Sequence, residues 1–143
     1  MKKTALILAF VCMFIFAGCS QGEYMPEVKN RANVFEIYDC GSKKIVKELN
    51  VNSDDDQLLI LDSIINNADN SKDYTEELSE VEPEYVLVNC GETDETTIYV
   101  KIRFSEGKVY REIYSDNESS SVLNQGILDC ITVTEEDFRS ILA

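Results

Sequence analysis

The side chains that could do chemistry in this chain are cysteines, carboxylates and hydroxyls, because its 143 residues include no histidine. Ser-His-Asp and Cys-His catalysis both need an imidazole, so both are excluded, and so is any histidine-ligated metal site. The sequence also contains no glycine-rich phosphate loop and no Gly-x-Ser-x-Gly nucleophile elbow. An enzyme is therefore the least favoured class, and we predict no catalytic residue and no cofactor.

One acidic stretch has a spacing that is typical of cation binding. Six oxygen-bearing side chains fall at places 1, 3, 5, 7, 9 and 12 of an EF-hand-like calcium loop: Asp69, Ser71, Asp73, Thr75, Glu77 and Glu80. The sixth place needs a glycine for its sharp turn and holds Tyr74, and Pro83 interrupts the helix that should follow. We therefore assign no metal ligand. A small-ligand or cation-binding module that uses loop 69–84 is the alternative function.

The same loop is the candidate surface for a protein partner. Between residues 69 and 84 seven acids accompany one base, Lys72, and a loop of this length is more than a helix-to-strand connection needs. A basic protein or peptide would be attracted to the four central acids, which are Glu76, Glu77, Glu80 and Glu82. The competing interpretation is a disordered, solvating loop without a partner.

The overall charge excludes one class of partner. The chain has 27 acidic against 13 basic residues and a formal net charge of −14. Nucleic-acid binding needs a basic footprint, so it is excluded, and adsorption of the whole domain to an anionic membrane is opposed. The domain is expected to stand off from the lipid.

The first residues form an export signal, with Lys2 and Lys3 followed by an uncharged apolar run over 5–17. That run is too short for a spanning helix, which needs about 20 residues. Phe16-Ala17-Gly18-Cys19 resembles the lipobox of bacterial prelipoproteins, although that family usually has Leu, Val or Ile where Phe16 stands. The resemblance implies a diacylglycerol chain on Cys19, which becomes the mature N-terminus at the extracytoplasmic face of the cell membrane. The alternative is an ordinary cleaved signal in which Cys19 has no role.

These features divide the chain into a signal peptide over 1–18, a lipidated tether over 19–32 and one domain over 33–143. The tether lacks apolar periodicity and contains Gly22 and Pro26, so we expect a coil that lets the domain rotate freely. The domain contains three cysteines, Cys40, Cys90 and Cys130, at spacings that match no zinc or redox signature. Either one pair and one free thiol form, or all three stay reduced.

The domain itself is predicted to be α+β, with one mostly antiparallel sheet of five or six strands. Hydrophobic patterning predicts strands over 34–38, 44–49, 85–88, 98–104 and 109–114, with a wet face on the fourth formed by Tyr99, Lys101 and Arg103. A long helix over 54–67, capped by Ser53 and Asp56, is expected across one face, with Leu61 toward Leu87, Val100 and Ile113. A short C-terminal helix starts at the capping box Thr134 and Asp137.

This topology predicts which cysteines can pair. If the long helix is a crossover between parallel strands, Cys40 and Cys90 lie too far apart for a disulfide, and Cys130 is the better partner for Cys40. The order of hairpin, helix, acidic loop ending in Pro83-Glu84-Tyr85, Lys108-Val109-Tyr110 and closing helix is similar to small lipoproteins of Gram-positive bacteria whose role is uncharacterised. That similarity implies a surface domain and brings no catalytic residues. The favoured function is a membrane-tethered, non-enzymatic interaction domain.

Overall fold

The computed structural model describes residues 24–27, 33–53, 56–66, 72–90, 97–115 and 126–143. Within these ranges, two helices and six strands follow one another in the order β1 (Val34–Asp39), β2 (Lys44–Asn50), α1 (Gln57–Asn66), β3 (Tyr85–Cys90), β4 (Thr97–Ser105), β5 (Lys108–Ser115), β6 (Leu128–Thr134) and α2 (Glu135–Leu142). The leader, Cys19 and the remaining tether positions lie outside the described residues.

The six strands form one sheet in the order β2-β1-β3-β4-β5-β6, and every neighbouring pair is antiparallel. The α+β class and the antiparallel sheet are therefore confirmed. β2 and β3 both pair antiparallel with β1 and are therefore parallel to each other, so α1 is a crossover between parallel strands, as the prediction about the thiols assumed. After the β1–β2 hairpin, β1 still has one unpaired edge, and a returning antiparallel strand satisfies its backbone groups.

Helix α1 packs its apolar stripe on one side of the sheet, which we call the helix face. Leu61 and Ile64 are fully buried there, in one cluster with Leu87, Val100 and Ile113, so the predicted direction of Leu61 is confirmed. The helix itself is short, since it has ten residues and begins at Gln57 rather than at 54.

The predicted cap of α1 is wrong. The hydroxyl of Ser53 donates to the carbonyl of Asn50 at 2.7 Å and so continues the turn after β2. Asp56 precedes the helix, and the first turn of α1 contains no acid. Asp54 and Asp55 lie outside the described residues. A serine next to a strand end can bond to the preceding backbone instead of a helix terminus, and Ser53 bonds to the turn.

The second helix matches its prediction. The Thr134 hydroxyl accepts from the Asp137 amide at 3.1 Å, and the Asp137 carboxylate accepts from the Thr134 amide at 3.4 Å, which completes the capping box. Val133 before the cap and Phe138 after it are buried in the same cluster, as a hydrophobic staple requires. Helix α2 thereby closes the core over the end of the β4–β5 hairpin, where Gly107 has a φ of 75°.

The other side of the sheet, the outer face, is not the wet surface predicted for β4. Lys101 and Arg103 are both buried there, and Val86 and Val88 form a separate apolar cluster with Tyr38. Two segments without regular structure, 24–27 and 72–84, pack on this face in place of helices. The alternation of β4 is correct, but a covered face does not have to be apolar when its charges are paired.

Part of the predicted tether lies on the outer face. Tyr24 packs against the cluster of Tyr38, Val86 and Val88, its hydroxyl is 3.5 Å from the Lys43 carbonyl, and Pro26 is buried. The expectation of a free coil is therefore wrong for residues 24–27. In the part of the chain that the structure describes, neither helix has the length and apolarity to cross a membrane.

Candidate functional site

The acidic loop begins with a polar anchor to strand β6. The Asp73 carboxylate accepts from the amide of Thr75 at 3.0 Å, from its hydroxyl at 2.5 Å and from the amide of Leu128 at 3.4 Å. The Tyr74 amide donates to the Leu128 carbonyl at 2.7 Å. The bond from the Thr75 hydroxyl, together with those from the two amides, holds the pKa of Asp73 below its usual range.

A small apolar cluster holds the middle of the loop on the outer face. Leu78 is buried together with Tyr110 and Leu128, and the Tyr74 ring meets the Tyr110 ring edge-on at 5.1 Å between centroids. Nε of Arg103 donates to the Val81 carbonyl at 2.9 Å. The described part of the loop is thus fixed by packing and by backbone hydrogen bonds, which differs from the disordered loop weighed as the competing interpretation.

The C-terminal end of the loop is held by both the sheet and helix α2. The Glu84 amide donates to the Ile102 carbonyl at 2.8 Å, and the Glu84 carbonyl accepts from the Cys40 amide at 3.0 Å. Its carboxylate receives one guanidinium nitrogen of Arg139 at 3.0 and 3.2 Å, while Glu135 binds the same nitrogen at 2.8 Å. These hydrogen bonds from Glu135 and Glu84 raise the pKa of Arg139 further above its usual value.

Between the two anchors the loop presents carboxylates to solvent. All four predicted partner-binding residues are exposed, namely Glu76, Glu77, Glu80 and Glu82. Glu77 forms a salt bridge with Lys72 at 2.6 Å, and the Lys72 ammonium lies 4.6 Å from the centroid of the Tyr74 ring. The hydrogen bond to Glu77 raises the pKa of Lys72. Because Leu78 is buried and its acidic neighbours are exposed, the loop is held to the sheet and has a negatively charged outer surface.

The calcium-like spacing is not assembled into a cation site by the described residues. Asp73 and Thr75 bond to each other, Glu77 bonds to Lys72, and Glu80 points to solvent. Asp69 and Ser71 lie outside the described residues. Within the ranges described above, no group of three or more Cys, Asp or Glu side chains is placed to hold a metal ion.

A fully buried ion pair joins Arg111 on β5 to Asp129 on β6, on the helix face. Nε of Arg111 donates to Oδ1 of Asp129 at 3.0 Å, and both side chains are 1% exposed. A terminal guanidinium nitrogen of Arg111 also donates to the carbonyls of Ile64 and Ile65 at the end of α1. Sequence reasoning missed this pair. The sequence did carry a signal for it. Arg111 is two residues from Val109 and from Ile113, and Asp129 is two residues from Ile131, so each charged residue shares a strand face with buried apolar residues.

A second charged network lies on the outer face between the two covering segments. Arg103 pairs with Glu112 across β4 and β5, and Glu112 also accepts from the Tyr114 hydroxyl. The Lys101 ammonium lies 5.0 Å from the centroid of the Tyr114 ring. Because these charges are matched by partners, they pack beneath the loop as structure rather than standing open to a ligand.

The tyrosines of the strands lie on both faces of the sheet, so they do not make one stacking surface. Tyr85 packs on the helix face against Phe104 and Phe138, with centroid separations of 6.1 and 5.5 Å. Tyr110 and Tyr114 lie on the outer face. The antiparallel alternation separates them, so a continuous carbohydrate-binding face is not formed by these residues.

The cysteines lie far apart in the sheet. Cys40 follows the end of β1, and Cys90 ends β3 where that strand passes the start of β1, because Asp39 pairs with Tyr85 and Phe35 with Asn89. Cys40 and Cys130 are reduced thiols, and four strand spacings, about 19 Å, separate β1 from β6. The suggested Cys40–Cys130 pair is therefore wrong. Cys40 and Cys90 are kept apart because they lie at opposite ends of the neighbouring antiparallel strands β1 and β3.

Comparisons were made with protein-family models, with curated proteins and with solved structures. The chain matches no family model, no curated protein and no solved structure in these comparisons.

Proposed function

We propose that this chain is a lipoprotein tethered through Cys19 to the extracytoplasmic face of the cell membrane, and that its domain is a non-enzymatic interaction module. The lipobox-like Phe16-Ala17-Gly18-Cys19 after a positively charged apolar leader supports the tether. Two acyl chains on one cysteine are sufficient for stable anchoring.

The observation that carries the interaction role is the construction of the acidic loop. Leu78 is buried at its centre, Asp73 and Glu84 bind its two ends, and four neighbouring glutamates face solvent. A partner that binds a fixed surface loses less conformational freedom than one that must order a coil. The proposed partner is a basic protein or peptide, which the loop attracts over distance and releases as salt rises.

The alternative, a cation or small-ligand site in the same loop, is less well supported. Asp73 would be its central ligand, yet the Asp73 carboxylate already accepts three hydrogen bonds that fasten the loop. A cation that bound Oδ1, which accepts all three bonds, would have to displace these donors. Calorimetry with calcium on the intact protein separates the two functions, since a binding heat that disappears in Asp73→Ala would favour the cation site.

The interaction role is tested by removing the charge of the loop without removing its bulk. We expect the variant with Glu76, Glu77, Glu80 and Glu82 changed to Gln to lose its basic partners in a pull-down with the lipidated protein. The wild type should recover them at low salt and fewer of them at moderate salt. Unchanged recovery and unchanged salt dependence in the variant would show that the loop only aids solubility.

A matched control has the same change in net charge elsewhere. Glu27, Glu48, Glu106 and Glu136 are also exposed and lie outside the loop. Changing these four to Gln should leave partner recovery near the wild-type level. An equal loss in both variants would mean that overall charge, and not the loop, attracts the partner.

The tether is tested separately with Cys19→Ser. Without the sulfur no acyl chain can be attached, so the protein should leave the membrane fraction or accumulate as precursor. A Cys19→Ser protein that matures normally and remains in the membrane would rule out the lipid anchor.

A further inference from the structure

Charge is distributed unevenly along this acidic chain. Residues 24–50 contain five Lys or Arg against four Asp or Glu, whereas residues 51–143 contain six against 22. The segment that enters the domain and forms its first hairpin is therefore net positive, and the rest is strongly negative. An asymmetry of this kind within one domain indicates that its two parts face different surroundings.

The β1–β2 hairpin combines exposed cations with exposed apolar side chains. Lys43 and Lys44 are exposed at its turn, and Ile45 and Val46 beside them are 41% and 44% exposed. Ile45 pairs across the strands with Tyr38, on the outer face. Strand β2 is at the edge of the sheet, so its side chains have a neighbouring strand on one side alone. Lysines next to apolar groups are typical of surfaces that rest on anionic lipid.

The N-terminal segment is docked against the same hairpin. The Lys43 ammonium lies 5.7 Å from the centroid of the Tyr24 ring, and the Tyr24 hydroxyl is 3.5 Å from the Lys43 carbonyl. Met25, the next residue, is 40% exposed, while Pro26 is buried. This contact fixes where the chain from the N-terminus meets the domain.

The docked segment also limits how far the hairpin can be from a lipid anchor. Tyr24 is five residues after Cys19. Five residues span at most about 18 Å when fully extended. A domain tethered at Cys19 must therefore keep Tyr24, and the Lys43 turn that contacts it, close to the headgroups.

We propose that the β1–β2 hairpin is the membrane-facing end of the domain. Lys43 and Lys44 bind anionic lipid headgroups, and Met25, Ile45 and Val46 enter the headgroup boundary. This inference rests on the lipid anchor of the proposed function. Net charge alone predicts that the whole domain stands off from the lipid. The hairpin instead gives the domain an orientation in which one basic edge faces the lipid.

Acidic residues lie both near the β1–β2 hairpin and far from it. Asp39 accepts from the Ser42 amide at 2.8 Å and so lies within the turn, while Glu27 and Glu48 are exposed near the hairpin.

The acidic loop crosses the outer face, and its centre around Leu78 packs over β5 and β6. Its last residue, Glu84, reaches the hairpin, where its carbonyl accepts from the Cys40 amide, and its carboxylate is paired with Arg139. The edge strand β6 is five strand spacings, about 24 Å, from β2. A Debye length of about 8 Å at physiological salt screens that edge from the lipid, so the nearest charges decide the orientation.

The orientation is tested on the full lipidated protein in two kinds of vesicle, one of phosphatidylcholine and one of phosphatidylcholine with phosphatidylglycerol. Flotation reports the anchor, and the rate of acylation by a water-soluble amine reagent, read by peptide mass spectrometry, reports the hairpin. We expect acylation of Lys43 and Lys44 to fall by about threefold or more relative to Lys72 in the anionic vesicles, and to recover at high salt. Lys72 is the reference because it lies on the distant acidic loop.

Variants of the apolar residues provide a second measurement. Changing Ile45 and Val46 to Ser should weaken the protection of Lys43 while flotation is unchanged. Leu59→Ser is the matched control, since Leu59 is an exposed leucine on α1. Equal protection in the two variants would overturn the role of the apolar pair.

The outcomes separate the two proposals. Flotation with equal acylation of Lys43, Lys44 and Lys72 in both vesicles would overturn the membrane-facing hairpin and leave the anchor intact. Failure to float would overturn the anchor and the orientation with it. Protection of the hairpin in cells but not in anionic vesicles would assign it to an acidic protein partner and would also overturn the inference.

Discussion

Arg111 binds Asp129 across strands β5 and β6, and the same guanidinium donates to the last carbonyls of helix α1. The carbonyls at a helix C-terminus have no partners within the helix, and they carry partial negative charge that favours a cation. One buried side chain thus joins the sheet to the end of the helix that lies on it. Asp129 neutralises the arginine where water cannot reach.

Removing either member of this pair should be costly. Arg111→Ala removes the guanidinium from the buried Asp129 carboxylate, and Asp129→Ala removes the carboxylate from the buried guanidinium. Breaking such a pair costs about 3–5 kcal/mol. Urea unfolding of the two variants should show this loss. Arg139→Ala is the control, because the exposed bridges of Arg139 should contribute less than about 1 kcal/mol.

The double variant Arg111→Met with Asp129→Leu should be more stable than either of its own single variants, Arg111→Met and Asp129→Leu. Apolar residues of similar volume need no partner, although the Ile64 and Ile65 carbonyls lose a donor. Losses that simply add in the double variant would show that the two side chains do not act as a pair.

Two leucines on α1 test which face of the helix packs on the sheet. Leu61 is fully buried and Leu59 is 69% exposed. Leu61→Asp places an unpaired charge in the core and should unfold the domain, and the milder Leu61→Ala should cost about 2–5 kcal/mol. Leu59→Asp should leave the thermal transition nearly unchanged. A cooperatively melting Leu61→Asp protein would contradict the packing of α1 on the sheet.

Acid should weaken the anchor of the acidic loop. The pKa of Asp73 is lowered in the folded protein, chiefly by the hydroxyl of Thr75. Its stabilising contribution is therefore fully present above the ordinary value of 3.8 and is lost as the pH falls through the lower folded value. Thr75→Ala should raise the midpoint of the Asp73 titration, followed by carbon NMR of the carboxyl group.

Thr132→Ala provides the control for that titration, since Thr132 is an exposed threonine on β6 outside this hydrogen-bond set. An Asp73 midpoint that is the same in Thr75→Ala and in the wild type would show that the hydroxyl does not hold the carboxylate.

The register of β1 and β3 makes a prediction about thiols. About 20 Å separates the positions of Cys40 and Cys90, since they lie at opposite ends of one antiparallel pair. Digestion of the non-reduced protein should release no peptide that links Cys40 to Cys90 or to Cys130. Recovery of either linked peptide in quantity would require a different strand order.

The sequence by itself determined the features that depend on neighbours in the chain. Thr134 and Asp137 are three residues apart, so their mutual hydrogen bonds form as soon as the helix begins. The β4–β5 hairpin follows from Gly107 between two alternating runs. The burial of Leu61 follows from helical periodicity, which fixes the face although not the length of α1.

The tertiary structure alone decided which distant segments meet. Whether β3 returns beside β1 or beyond it depends on pairing free energies across more than forty residues, and local patterning carries no information about that choice. The same holds for the partners of Arg111. Its phase with Val109 and Ile113 places it on the helix face, but only the tertiary structure puts Asp129 of β6 and the end of α1 beside it.

The outer face shows the same limit. Lys101 and Arg103 have the alternation of a solvated strand, yet they are buried because residues from another part of the chain cover them. The segments that do so, 24–27 and 72–84, have no periodicity from which their docking could be predicted. Their position is set by a few long-range contacts, such as that of Leu78 with Tyr110, and such contacts exist only once the sheet has formed.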